Sequence, residues 1–119
     1  MGYSFGTIDD MGDGVFRKVR QELGVTAFGV NALVLAPGVV GRAHYHDEQD
    51  ELYFVHRGRA RFEVGGEARE LGPGGVAHIE SATPRRITSV GDEDLVLFVV
   101  GAKDGYVGRD GHLADLDSL

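Results

Sequence analysis

Short stretches of alternating apolar and polar residues follow one another along most of this chain. Side chains of a strand point alternately to its two faces, so such alternation predicts β-strands. Residues 26–36 carry four apolar side chains on one face, namely Phe28, Val30, Ala32 and Val34. Residues 95–100 are apolar without interruption, which predicts a strand in the middle of the core.

Glycine-rich breaks separate these stretches. Further strands are predicted at 39–46, 51–56, 59–64, 67–71, 76–79 and 85–90, with a bend at 47–50. Nineteen glycines against three prolines indicate many tight turns between short strands. Together, the strands and turns favour an all-β barrel or sandwich.

Both ends of the chain lack a clear strand pattern. Residues 1–14 are interpreted as a poorly determined arm. Helical spacing and strand alternation both fit residues 15–23, and a short helix or turn that ends at Gly24 is favoured. The polar, glycine-rich tail at 103–119 is expected either to lie along the barrel or to dock on a neighbouring subunit.

The length and composition of the chain limit the function classes. At 119 residues, the whole chain (1–119) is predicted to be a single domain. No segment approaches the roughly 18–20 apolar residues of a membrane span, and the N-terminus lacks a signal-peptide pattern, which favours a cytoplasmic protein. The net charge of −7 argues against nucleic-acid binding. Without cysteine, any metal must be bound by nitrogen and oxygen ligands.

The stretch from His44 to Glu51 contains a pattern typical of metal ligands. His44 and His46 are two residues apart on a predicted strand and therefore project to the same face. If the chain bends between His46 and Glu51, all three groups converge on one point. Two imidazoles and a carboxylate are the donor set of many divalent-metal sites with open coordination positions.

The same stretch also shows a family resemblance. The residues that carry it, at fixed spacing, are Gly38, His44, His46, Glu51 and Gly58, and they resemble the first motif of the cupins. The resemblance covers about residues 28–101. It implies a double-stranded β-helix (cupin jelly-roll) barrel with a core at about 26–101, a short N-terminal arm and a polar C-terminal tail. It also implies a metal ion inside the barrel, held by the motif ligands and by one histidine from a second motif.

The second motif departs from the family at one position. Residues 71–84 follow its outline, but Arg85 stands where the family usually has histidine. A guanidinium stays protonated and has no lone pair to offer a metal. The resemblance therefore supplies only three ligands, which are His44, His46 and Glu51.

Three accounts of this departure remain open. In the first, the three ligands hold a divalent ion and leave positions for water and substrate. In the second, His78 supplies the missing imidazole. In the third, the site has lost its metal, and Arg85 forms a salt bridge with Glu51 inside the barrel.

Two residues near these ligands are candidates for contact with a substrate. Arg85, pointing into the barrel, would bind a carboxylate or phosphate bidentately; alternatively, it is a surface charge, with Arg86 pointing inward or with both pointing outward. Tyr53 alternates with Glu51 along one strand, so its hydroxyl is predicted to line the cavity, although packing is the commoner role for such a residue.

The resemblance implies a small metal-binding cupin. The predicted function is a metal-dependent enzyme of the dioxygenase, isomerase or lyase type that acts on a small anionic metabolite inside the barrel. The alternative is a non-catalytic ligand-binding or sensory cupin, metal-free if Arg85 is paired with Glu51. The expected cofactor is a divalent ion of Mn, Fe, Ni, Co or Zn. The expected partners are a small-molecule ligand and, because the apolar strands leave faces to cover, a second copy in a homodimer.

Overall fold

The computed structural model describes residues 2–119 and is almost entirely β-structure. Its strands are β1 (Phe16–Arg17), β2 (Gly29–Leu35), β3 (His44–His46), β4 (Asp50–Arg57), β5 (Ala60–Val64), β6 (Glu67–Leu71), β7 (Val76–Ile79), β8 (Arg85–Ser89), β9 (Leu95–Ala102) and β10 (Gly111–Leu113). The single α-helix among these residues is α1 (Val19–Leu23), and short 3-10 turns lie at Ile8–Asp10 and Leu116–Ser118. No helix in this part of the chain combines the length and the apolar character needed to span a bilayer.

Two five-stranded antiparallel sheets form the body of the protein. The first sheet has the order β1-β2-β9-β4-β7, and the second has the order β10-β3-β8-β5-β6. Apolar side chains of both sheets meet between them in one core, which contains Leu35, Tyr53, Val55, Ala60, Phe62, Ile79, Ile87, Leu95 and Leu97. The predicted run at 95–100 lies in β9 at the centre of the first sheet. This architecture confirms the expected double-stranded β-helix.

The segment before the two histidines differs from the prediction. A strand was predicted at 39–46, but β3 begins only at His44, and the earlier residues make a single bridge from Val40 to Thr88. Gly41 explains the interruption, because its N–H donates to the carbonyl of Ile87 at 2.8 Å and any Cβ there would collide with that oxygen. The chain therefore approaches β8 too closely for a regular ladder.

The N-terminal part of the chain contains a short helix, and the C-terminal tail contains a short strand. The short helix expected before Gly24 is confirmed, and Gly24 ends it in the left-handed conformation (φ 72°) that favours glycine. The C-terminal tail lies along its own barrel, because β10 pairs antiparallel with β3. This pairing places Gly111 opposite His46, and Leu113 opposite His44.

Candidate metal centre

His44, His46 and Glu51 meet between the two sheets. The two histidines lie on β3 of the second sheet, and Glu51 lies near the start of β4 in the first sheet. The turn at 47–49 carries the chain from one sheet to the other. One ligand atom from each of the three side chains lies within 4.8 Å of the others. The convergence expected from a bend between His46 and Glu51 is therefore present.

Both imidazoles are anchored through Nδ1, so that Nε2 faces Glu51. Nδ1 of His46 lies 2.8 Å from Oδ1 of Asp110, and Nδ1 of His44 lies 3.1 Å from the carbonyl oxygen of Arg42. A neutral imidazole that donates from Nδ1 carries its lone pair on Nε2. The Nε2 atoms of His46 and His44 lie 3.1 and 3.9 Å from Oε1 of Glu51.

The Nε2 atom of His46 is a buried polar atom without a partner. It makes no hydrogen bond of acceptable geometry within residues 2–119, although it lies near Glu51. Buried polar atoms are nearly always satisfied by protein, water or an ion. Here the free lone pair of one imidazole points towards a second imidazole and a carboxylate. This arrangement fits a divalent cation, because nitrogen and oxygen donors of this kind converge on such ions.

Glu51 is buried and remains ionised. Its Oε1 accepts hydrogen bonds from the Tyr53 hydroxyl at 2.5 Å and from Nη2 of Arg85 at 2.9 Å. Burial alone would raise the pKa of the Glu51 carboxyl, but His44 and His46 in their protonated form, together with the hydroxyl of Tyr53, outweigh burial and hold that pKa well below 4.5. The site therefore presents a negative charge at neutral pH.

Arg85 is completely buried beneath this carboxylate. It lies on β8 opposite His44, and the exposed fraction of its side chain is 0%. Besides the bond to Glu51, its Nη1 donates to the carbonyls of Ser81 (3.2 Å) and Thr83 (2.7 Å). The interpretation of Arg85 as a surface charge is wrong, and the inward-facing salt bridge of the third account is present.

The same burial contradicts the substrate-clamp interpretation of Arg85. A bidentate clamp needs two exposed N–H groups directed at the ligand. Nε of Arg85 is directed at the Tyr53 hydroxyl at 3.3 Å, and Nη2 is directed at Glu51. Its neighbour Arg86 points outward and pairs with Glu63 at 2.5 Å. Arg85 is therefore paired with the carboxylate of Glu51, and its enclosed guanidinium has no exposed N–H group of the kind that a clamp needs.

Tyr53 also supports Glu51 and does not line an open cavity. Its side chain is buried against Phe62, with ring centroids 5.6 Å apart. Burial, followed by the charge of Glu51, raises the pKa of the Tyr53 phenol far above 10. The hydroxyl therefore stays protonated and donates to Glu51, which corrects the prediction that it faces a substrate.

His78 lies outside the site. On β7 it is exposed and pairs with Leu52, whereas the adjacent Ile79 is buried and pairs with Glu51. Paired residues of neighbouring strands share a face, so His78 projects from the outer face of the first sheet. The account in which His78 supplies the missing imidazole is therefore contradicted by its position.

Asp110 is part of the site and was not found from the sequence. It precedes β10 in the polar tail, and its carboxylate accepts bonds from His46 and from the turn at 47–49. Burial alone would raise the pKa of Asp110, but the side chain of Gln49 and the backbone N–H groups of Glu48 and Gln49 hold it well below 3.8. An isolated aspartate 64 residues from its partner gives no local pattern.

The three candidate ligands differ in their access to solvent. The exposed fraction of the side chain is 30% for His44, 12% for His46 and 11% for Glu51, whereas Arg85 is fully enclosed. The site is thus open at His44 and closed at Arg85. Two surface depressions of about 430 and 270 Å³ lie elsewhere, and none of these residues lines either one. A ligand would therefore approach the site from the side of His44.

Comparisons with solved structures give the same fold. A cupin protein from Bacteroides fragilis is 21% identical with a TM-score of 0.74, and the match covers 97% of this chain and 99% of that one. A protein with a double-stranded β-helix domain from Klebsiella pneumoniae is 17% identical with a TM-score of 0.73, and the match covers 94% of this chain and 97% of that one. A DMSP lyase from Ruegeria pomeroyi is 25% identical with a TM-score of 0.64, and the match covers 74% of this chain and 43% of that one.

The relation to the lyases is partial, since this chain spans 44% and 43% of the lengths of two DMSP-lyase chains that it matches. Comparison with curated proteins gives no match. Residues 32–101, more than half of the chain, match the family model described as "Cupin domain". The chain therefore belongs to the cupin family.

Proposed function

We propose that this protein is a metal-dependent cupin that acts on a small anionic metabolite at the centre formed by His44, His46 and Glu51. The observation that carries the proposal is the buried, unpartnered Nε2 atom of His46. Its ring is already held through Nδ1 by Asp110, so the lone pair is directed at the site and has no acceptable donor there. A cation is the partner that two neutral imidazoles and a carboxylate share.

A divalent ion of Mn, Fe, Ni, Co or Zn in this place would supply a Lewis acid or an oxygen-activating centre with open positions. The protein's own contribution is to hold the ligands in place. The carbonyl of Arg42 and the carboxylate of Asp110 orient the two imidazoles. Tyr53 and Arg85 fix Oε1 of Glu51. The open side at His44 admits the ligand.

The charges around the centre favour an anionic ligand. Glu51 faces the buried guanidinium of Arg85 and both imidazoles, and Asp110 faces the imidazole of His46. Adding a divalent cation to these groups leaves an excess of positive charge in a partly desolvated place. A carboxylate or phosphate of the substrate would neutralise that excess. Lyase chemistry is the first to assay among the dioxygenase, isomerase and lyase types, because two of the similar structures are DMSP lyases.

Metal content of the purified protein tests this proposal. Protein purified without a histidine tag should contain close to one divalent ion per chain by elemental analysis. His44→Ala and His46→Ala should each lose it, because each removes one of only three ligands. His78→Ala and His56→Ala are matched controls, because both imidazoles lie on strands of the first sheet but face away from the centre. The assignment of the centre is wrong if His44→Ala and His46→Ala both retain metal at the wild-type ratio.

A second candidate function is a metal-free, ligand-binding or sensory cupin. The ion pair between Arg85 and Glu51, at 2.9 Å, favours it, because a buried guanidinium competes with a cation for the same carboxylate. Binding of a small anion that persists unchanged after treatment with a chelator, in protein that contains no metal as purified, would support this candidate. Ligand binding that disappears with the metal would exclude it.

We also propose that the protein is a homodimer that joins through the outer face of its first sheet. Leu52, Phe54 and Val76 are exposed on neighbouring strands of this face, and Phe54 is paired with Phe98. An exposed apolar patch is a typical contact surface, and a two-fold axis would bury this patch on each copy against the same patch on the other. Phe54→Glu should shift the sedimentation of the protein from dimer to monomer. Val40→Glu, at an exposed apolar residue beside the second sheet, is the control, and a monomeric wild type at micromolar concentration would refute the dimer.

A further inference from the structure

The C-terminal tail reaches the candidate metal centre from outside the part of the chain that matches the family model. That match ends at residue 101. Nine residues later, Asp110 lies against His46 and against the turn at 47–49. The tail therefore brings to the centre a residue that the matched cupin segment does not contain.

Asp110 uses both oxygens of its carboxylate. Oδ1 accepts from Nδ1 of His46 at 2.8 Å and from Nε2 of Gln49 at 2.6 Å. Oδ2 accepts from the backbone N–H groups of Glu48 at 2.8 Å and Gln49 at 3.1 Å. One side chain thus ties an imidazole to the turn that separates His46 from Glu51. The relative positions of two candidate ligands depend on this carboxylate.

The strand that follows Asp110 holds it in place. Gly111 lies over the imidazole of His46, where an added Cβ would be 3.4 Å from Cε1 of that ring. His112 stacks on Tyr45, with ring centroids 5.2 Å apart, and pairs with Asp47 at 2.8 Å. The backbone of the tail is therefore bound along β3, the strand that carries both candidate histidine ligands.

We infer that Asp110 is a positioning residue for His46, and that docking of residues 110–113 and binding of a divalent metal stabilise each other. The inference rests on the proposed metal centre. A carboxylate that accepts from Nδ1 keeps the proton there and directs the lone pair of Nε2 at the ion. Because coupling between two binding events is reciprocal, a metal that needs this orientation must in turn favour the docked tail.

Metal affinity is the first measurement. Calorimetric titration with each of Zn²⁺, Co²⁺ and Mn²⁺ should give a dissociation constant about 10–100-fold higher for Asp110→Asn than for the wild type. Asp110→Glu, which keeps the carboxylate, should recover part of the loss. Asp117→Asn removes an equal charge from an exposed position in the same tail and should bind like the wild type.

Two further measurements separate positioning from a merely structural role. In the metal-free wild type at alkaline pH, ¹H–¹⁵N NMR should show the His46 ring protonated at Nδ1, and Asp110→Asn should lose that preference. In the wild type, a bound ion should slow amide hydrogen exchange at 111–113, and this test needs no variant.

The outcomes also separate this inference from the proposed function. Wild-type affinity in Asp110→Asn, an unchanged tautomer in that variant, or exchange at 111–113 that does not respond to metal would overturn the role of the tail while leaving the metal centre intact. If the wild type binds none of these three ions, and binds neither Ni²⁺ nor Fe²⁺, the metal centre and the inference fall together.

Discussion

Replacement of Arg85 by methionine should destabilise the metal-free protein strongly. Methionine keeps an apolar stem of similar length, so the change removes the charge and its hydrogen bonds and leaves only a small void. Arg85 is fully enclosed, and Glu51 is nearly so, so solvent screens their interaction little. Removal of one partner from such a pair leaves an uncompensated buried charge, which costs about 3–5 kcal/mol of unfolding free energy.

The matched control is Arg86→Met. Arg86 is the next residue on the same strand, but it points outward and pairs with Glu63, and the exposed fractions of the two side chains are 24% and 22%. Solvent reaches this pair and screens it, so this variant should lose much less unfolding free energy than Arg85→Met. Urea unfolding in the presence of a chelator, followed by far-ultraviolet circular dichroism because the chain has no tryptophan, gives both values. The structural role of Arg85 is refuted if the two variants lose the same free energy.

The effect of Arg85→Met should also depend on metal. Without the guanidinium, Glu51 has no competing cation, so a divalent ion should bind the variant more tightly than it binds the wild type. Saturating metal should therefore restore part of the lost unfolding free energy. Arg85→His places an imidazole where the family usually has one, and it should raise metal affinity further. Calorimetric titration measures both, and affinities equal to that of the wild type would show that Arg85 does not compete with the ion.

Three further predictions concern the surroundings of the centre. Tyr53→Phe removes a donor to the ionised Glu51 and should lower the unfolding free energy by about 1.5–3 kcal/mol. An unchanged value in urea would contradict the role of that hydroxyl. Gly58→Ala places a side chain at a positive φ of 78°, where the added Cβ would also clash with the backbone of Asp94 and of Leu95, the first residue of β9. The control is Gly65→Ala, where φ is 63° but no atom lies close to the added Cβ. The melting temperature of Gly58→Ala should therefore be well below that of Gly65→Ala. Metal affinity should fall as the pH is lowered, because a proton on Nε2 of His46 competes with the ion. Burial lowers the pKa of His46, but Glu51 and Asp110 raise it above 6.5 overall, so titrations at several pH values should show the loss beginning at a higher pH than for a solvated histidine.

Features that depend on neighbouring residues in the chain could be predicted from the sequence. The period of two placed His44 and His46 on one face, and the bend after His46 brought Glu51 to the same point. The same local pattern predicted most strands and the helix ended by Gly24. Spacing determines such features because adjacent peptide units and side chains fix them directly.

Only the tertiary structure determines the roles of the residues that surround the three candidate ligands. The sequence alone was compatible with an Arg85 side chain that points inward or outward, and with a His78 that reaches the site. The pairing of β8 with β3 fixes the direction of the Arg85 side chain, and the pairing of β7 with β4 fixes that of His78. Asp110 lies 64 residues from His46, and only the pairing of β10 with β3 brings the two together. A hydrogen bond between distant residues depends on which strands are neighbours in a sheet. The alternation of apolar and polar residues predicts where strands lie in the sequence, but it does not predict their order in the sheet.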